Sequence, residues 1–111
     1  MALTDDELAE LKRSYPDVSA ATEGGLTYLC LSNVTLPTGC VPAQTDVLLC
    51  PFPREGYPSR LYFAERVQCP ANLNWNGITR VLERNWYAFS WKIEPQLRLL
   101  QMVQAHLLPL R

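Results

Sequence analysis

"TDVLLCPFPREGYPSRLYFAERV", residues 45–67, holds two apolar runs around a segment that cannot be regular. The first run, 45–52, is rich in β-forming and apolar residues. Pro51 and Pro53 stop it, because proline has no N–H to give to a sheet ladder. Residues 54–59, "REGYPS", carry the glycine and proline of a turn. The second run, 60–67, puts Leu61, Phe63 and Glu65 on one side and Tyr62, Ala64 and Arg66 on the other, the period of a strand. Two strands joined by so short a turn pair antiparallel.

Working outward, "GLTYLCLSNVTLP" (25–37) reads as another strand, apolar on both sides near its centre. It fits a sheet covered on one side and partly covered on the other. With "LPTGC" turning the chain, three consecutive strands form an antiparallel meander. At the N-terminal end, Thr4 and Glu7 make a capping box, and Leu8 and Leu11 follow at helical spacing. A helix is expected over 4–14, ending before Tyr15-Pro16. Beyond the meander, 68–77 reads as irregular, with Pro70 and an Asn76-Gly77 turn. Pro95 suits a first helical position. Leu97, Leu100, Val103 and Leu107 then form a stripe, widened by Leu99, Met102 and Leu108 and stopped by Pro109. The order helix, three strands, long irregular segment, helix predicts an α+β fold in one domain, 1–111, with both helices packed on the meander.

The 111 residues are 48% hydrophobic with a net charge of −1. That balance suits a folded domain and argues against nucleic acid, whose binders carry a basic excess. No apolar run approaches the roughly 18–20 residues that cross a bilayer, and the acidic start does not resemble a secretory signal. The expectation is a cytoplasmic protein with no membrane partner and four free thiols. "NVT" at 33–35 then has no meaning as a glycosylation site.

Few side chains point to chemistry. His106, in the last turn of the last helix, reads as a surface histidine steadied by the helix C-terminus. The cysteines stand ten, ten and nineteen residues apart, with no metal-ligand spacing, and no phosphate loop is present. Neither a metal nor a cofactor is expected. Cys30 and Cys50 lie within strands and read as small apolar residues. Cys40 lies in a turn. Cys69 precedes a proline at the mouth of the irregular segment and is a candidate reactive thiol. All three tryptophans fall in 72–91. Trp86 and Trp91 are expected to anchor this stretch in the core, while Trp75 sits on the variable side of the Asn-Gly turn. Between them lies Thr79, on its own a weak nucleophile.

"LPTGC", "TDVLLCPFPREGYPSRLYF", "CPANLNWNGITRVL" and "NWYAFSWKIEPQLRLLQMV" follow one another in an order that resembles the ubiquitin-conjugating enzymes. More narrowly, they resemble the short bacterial relatives called prokaryotic family E. The likeness runs over about 26–108. It implies a ubiquitin-conjugating-enzyme-like fold and a place in a bacterial ubiquitin-like conjugation operon. The implied partners are a ubiquitin-like protein, a ubiquitin-activating-enzyme-like protein, and a target protein or second conjugating-type subunit. Where the family has His-Pro-Asn, this chain has Cys69-Pro70 and then Asn72, one residue late. Where the family has its nucleophilic cysteine in Ile-Cys-Leu, this chain reads Ile78-Thr79-Arg80. The narrower family's Arg-His-Trp is Arg84-Asn85-Trp86.

The resemblance leaves three expectations. Thr79 accepts the ubiquitin-like C-terminus as an oxyester, with Arg80 and Arg84 stabilising an oxyanion, Asn72 or Asn85 donating to it and Glu83 as the one nearby base. Alternatively Cys69 carries a thioester. Alternatively the chain is an inactive variant that binds. An unrelated α+β interaction module is the reading outside the family. In the family the first helix docks the activating enzyme. Here its exposed face carries Asp5, Asp6, Glu10, Lys12 and Arg13, a pattern that a merely solvated face also shows.

Overall fold

The capping box at Thr4 starts the chain's first helix, α1 (Asp5–Ser14). The Glu7 N–H donates to the Thr4 hydroxyl at 3.2 Å, and that hydroxyl donates to the Glu7 carboxylate at 3.1 Å. The computed structural model describes residues 4–111. After α1 come β1 (Ser19–Glu23), β2 (Leu26–Thr35), β3 (Gln44–Cys50), β4 (Arg60–Phe63), β5 (Gly77–Val81), β6 (Arg84–Ala88) and α2 (Leu99–Leu107). A 3-10 turn, Leu108–Leu110, closes the chain. The strands make one antiparallel sheet in the order β1-β2-β3-β4-β6-β5.

The α+β class and the β2-β3-β4 meander match the sequence expectation; the strand count does not. β1 pairs with β2 along its whole length, Ser19 opposite Cys30 through Glu23 opposite Leu26. The segment read as irregular yields the β5–β6 hairpin. Its two turn residues, Leu82 and Glu83, both have positive φ, 55° and 64°. That is the backbone of a tight two-residue hairpin, which usually recruits Asn and Gly. Asn76-Gly77 is not a hairpin turn: Gly77 is the first residue of β5. A Cβ there would meet the Arg60 guanidinium at 2.8 Å and Ala88 at 3.3 Å, so glycine is required by close approach.

Strand alternation divides the interior in two. Leu29, Leu31, Val47, Leu49, Leu61 and Phe63 face the helices and pack with Leu11, Leu99, Met102 and Val103. Tyr28, Leu48, Cys50, Tyr62, Val81, Trp86 and Ala88 make a second cluster on the helix-free face. Glu23, at the end of β1, accepts from the Leu82 N–H at 3.1 Å. The two sheet edges therefore approach each other over that second face.

Several sequence expectations need correcting. Helix α2 begins at Leu99, not at Pro95. Gln96 has φ of 66°, and Arg98 is the extended N-cap, its N–H donating to Gln101 at 2.9 Å. Arg98 also pairs with Glu10 at 2.9 Å, so one member of the supposed free face of α1 ties the helices together. His106 is buried, with Nε2 3.1 Å from the Ser59 hydroxyl. Burial, then Arg60, lowers its pKa to about 4. Trp91 is exposed, whereas Trp75 packs edge-on against Phe63 and Phe89; of the two expected anchors only Trp86 is buried. Cys40 is buried despite its place in a turn. No helix among the described residues is long and apolar enough to cross a membrane.

Candidate functional site

The helix-free face holds a connected set of charged and phenolic groups. "REGY" builds it. Arg54 and Tyr57 bridge across a tight turn, each N–H donating to the other's carbonyl at 2.9 Å, with Glu55 and Gly56 at positive φ. The turn folds the Arg54 side chain back over the sheet. Its guanidinium donates to Tyr62 Oη at 3.2 Å, to Tyr28 Oη at 2.9 Å and to Thr79 Oγ1 at 3.1 Å. Three strands that are distant in sequence thus meet at one cation. Glu55 accepts from Tyr62 at 2.5 Å and from Arg60 at 2.6 Å. Arg60 continues to Asn76 Oδ1 at 3.0 Å and stacks on the Tyr57 ring at 4.4 Å.

Electrostatics follow from this wiring. Burial acts against the Glu55 carboxylate, but the Tyr62 hydroxyl, Arg60 and Arg54 outweigh it and hold its pKa below the ordinary value. Burial and then Glu55 push the Tyr62 phenol well above its ordinary range, so it stays a donor. Two guanidinium groups against one carboxylate leave the set with a positive surplus. Arg60 is buried, and its Nε has no hydrogen-bond partner among the described residues. Burial pushes the nearby Cys50 thiol up to about 12, which makes it inert.

The sequence candidates separate. Thr79 lies mid-strand in β5, half-buried, opposite Trp86 and on the Arg54 side. Arg80 faces the other way, where it donates to Asn85 Oδ1 at 3.2 Å and to the Glu83 carbonyl at 3.1 Å. Arg80, Asn85 and the Glu83 backbone therefore serve one another across the hairpin, on the surface opposite to the Thr79 hydroxyl. Arg84 shares the Thr79 face but is held by Asp46 at 3.0 Å and lies over Trp86 at 4.8 Å. The backbone N–H of Asn33, followed by Arg84, lowers the Asp46 pKa. Asn72 is exposed in the connection before β5. Cys69 packs against the helix-side core, and its thiol points at the Ala71 carbonyl, 3.3 Å away.

Reading the sequence missed Arg54, Glu55, Arg60, Tyr28 and Tyr62. A signal for two of them was present: Arg60 and Tyr62 alternate with Leu61 and Phe63, which puts an arginine and a phenol on one side of a central strand. A hollow of about 210 Å³ has Cys30, Asp46, Leu82, Arg84 and Trp86 in its walls and is lined by no member of the Arg54 set. A larger one, about 400 Å³, lies between α1, β2 and α2 and is lined by none of the sequence candidates. Among the described residues no three His, Cys, Asp or Glu side chains converge to hold a metal ion.

Comparison of the chain with protein-family models, curated proteins and solved structures finds no match.

Proposed function

We propose that this chain is a noncovalent binding subunit of a ubiquitin-like conjugation pathway, built on a plan similar to that of the ubiquitin-conjugating enzymes. Arg54 and Thr79 take the C-terminal carboxylate of a ubiquitin-like protein. The observation that carries this reading is the state of the Thr79 hydroxyl. It accepts from a guanidinium at 3.1 Å, and among the described residues no base hydrogen-bonds to it. A hydroxyl nucleophile needs a partner to remove its proton; here its oxygen is occupied by a cation and its hydrogen remains available to an acceptor. A guanidinium beside a free O–H is a carboxylate-binding pair, and charge-assisted bonds of this kind are the stronger ones.

The carrier reading, an oxyester on Thr79, draws on the same contact. The Arg54 charge favours the ionised hydroxyl and would stabilise a developing oxyanion. One experiment separates the two. The protein is incubated with an activating enzyme, the ubiquitin-like protein and ATP, and adducts are sought beside a direct binding titration. The binding reading expects no adduct, retained affinity, and a loss of about tenfold or more in Arg54→Gln. An adduct that resists thiol reductant, yields to hydroxylamine and vanishes in Thr79→Ala would establish the carrier instead. A reductant-sensitive adduct lost in Cys69→Ala would move the chemistry to sulfur.

A further inference from the structure

The four thiols fall into two pairs with different geometry. Cys30 and Cys50 share the helix-free face of β2 and β3. In that ladder Cys30 stands opposite Leu48, so Cys50 lies two residues along the facing strand. Diagonal neighbours of this kind sit roughly 7–8 Å apart. A disulfide needs Cα atoms within about 7 Å.

Cys40 and Cys69 are placed otherwise. Val41 and Gln68 form an isolated antiparallel bridge, with Val41 N–H donating to Gln68 at 2.7 Å and Gln68 N–H donating to Val41 at 2.8 Å. A pair that exchanges both bonds is followed by a non-hydrogen-bonded pair, in which Cα atoms approach to about 4.5 Å and side chains are closest. That next pair is Cys40 and Cys69. The step beyond confirms the register: a Cβ on Gly39 would meet the Pro70 ring at 3.0 Å. Both sulfurs belong to the same core, Cys40 buried within it and Cys69 packed against it. Burial, then the neighbouring Cys69, raises the Cys40 pKa.

We propose that Cys40 and Cys69 are a redox pair, dithiol under reducing conditions and an intramolecular disulfide under oxidising ones. The proposal is independent of the binding function above. With a small-molecule disulfide as oxidant, the more exposed Cys69 attacks as the thiolate. A bond forms between its Sγ and one sulfur of the oxidant, and the other sulfur leaves as a thiolate and is protonated. Cys40 then attacks Cys69, forming the Cys40–Cys69 bond and releasing the second small thiol. Two protein thiols are oxidised, one disulfide is reduced, and the two protons end on the released thiols. The bond would join the loop before β3 to the connection that leads into β5. Cys40 already points its thiol at the Leu110 carbonyl, 3.5 Å away, so the staple lies against the C-terminal turn as well.

The test treats the folded full-length chain with oxidised glutathione, alkylates the remaining thiols under denaturing conditions and maps the peptides by mass spectrometry. The expected result is an intact mass lower by two hydrogens, one cross-linked peptide joining Cys40 to Cys69, and alkylated Cys30 and Cys50. The thermal midpoint should rise on the order of 10 °C, reversibly with reductant, since the bond closes a long loop. Cys69→Ser should show neither the mass loss nor the midpoint shift. Four alkylated cysteines, a Cys30–Cys50 cross-link, or glutathione retained on Cys69 would each overturn the proposal. The wild-type peptide map decides even if a variant at the buried Cys40 fails to fold.

Discussion

The same three central strands, β2, β3 and β4, serve two interiors of opposite character. Toward the helices they present Leu29, Leu31, Val47, Leu49, Leu61 and Phe63 to an apolar layer. Away from them they present Tyr28, Cys50, Arg60 and Tyr62 to a wired set of charges. The first interior is held by area removed from water, which is non-directional and tolerant. The second adds to its apolar cluster of Leu48, Val81, Trp86 and Ala88 a set of hydrogen bonds in fixed directions, which confer position more than stability because water competes for them in the unfolded chain. A face that only had to be buried would have no use for two arginines. Placing Arg60 in the interior carries a desolvation cost, which Glu55, Asn76 and the Tyr57 ring offset through directed contacts.

That contrast can be broken by measurement. Phe63→Ala removes a ring stacked on Phe89 and edge-on to Trp75. It should cost about 3–5 kcal/mol in urea unfolding, the range for a large core truncation. His106 probes the boundary, since α2 carries it to Ser59 and Arg60. Well above pH 6.5 its ring is neutral both folded and unfolded and adds no pH dependence. Below that, the unfolded chain takes up the proton first, because burial and Arg60 lower the folded pKa to about 4. Stability should therefore fall by about 2 kcal/mol between about pH 7 and pH 5 and go on falling to about pH 4, and His106→Gln should flatten that slope. Arg84→Gln, on the helix-free face, removes a half-exposed ion pair with Asp46. It should cost no more than about 1 kcal/mol. If it cost as much as Phe63→Ala, the two faces would not differ in the way described.

How much of this was legible in the sequence depended on whether a signal was local. The capping box at Thr4 acts within four residues, and the helix starts where it says. β2, β3 and β4 declared themselves through apolar residues at strand spacing. β1, "SAATE", has no apolar alternation; it is a strand only because β2 offers it a ladder. The β5–β6 hairpin was hidden twice, by a decoy Asn-Gly pair and by a turn made of Leu82 and Glu83. Leu82 tolerates its positive φ where Glu23, fifty-nine residues earlier, holds its N–H. His106 was misread although it stands on the same helical stripe as Leu99, Met102 and Val103. The Arg54 set could not be read at all as a set. Its members come from a turn, two strands and a hairpin, and only the fold gives them a common centre.

The way β6 is attached has a consequence for timing. β4 and β6 are registered at one pair, Phe63 opposite Tyr87, while β5 and β6 match along five. The hairpin is thus more firmly joined to itself than to the sheet, and it forms a natural unit of local opening. Such an opening would draw Thr79 away from Arg54 and leave the layer between helices and sheet intact. The ties it would have to break are few and mostly polar, the Phe63–Tyr87 rung, the Arg84–Asp46 pair and the Glu23–Leu82 bond, together with the packing of Val81 and Trp86, so exposure of the Thr79 hydroxyl would be a local event rather than loss of the whole fold.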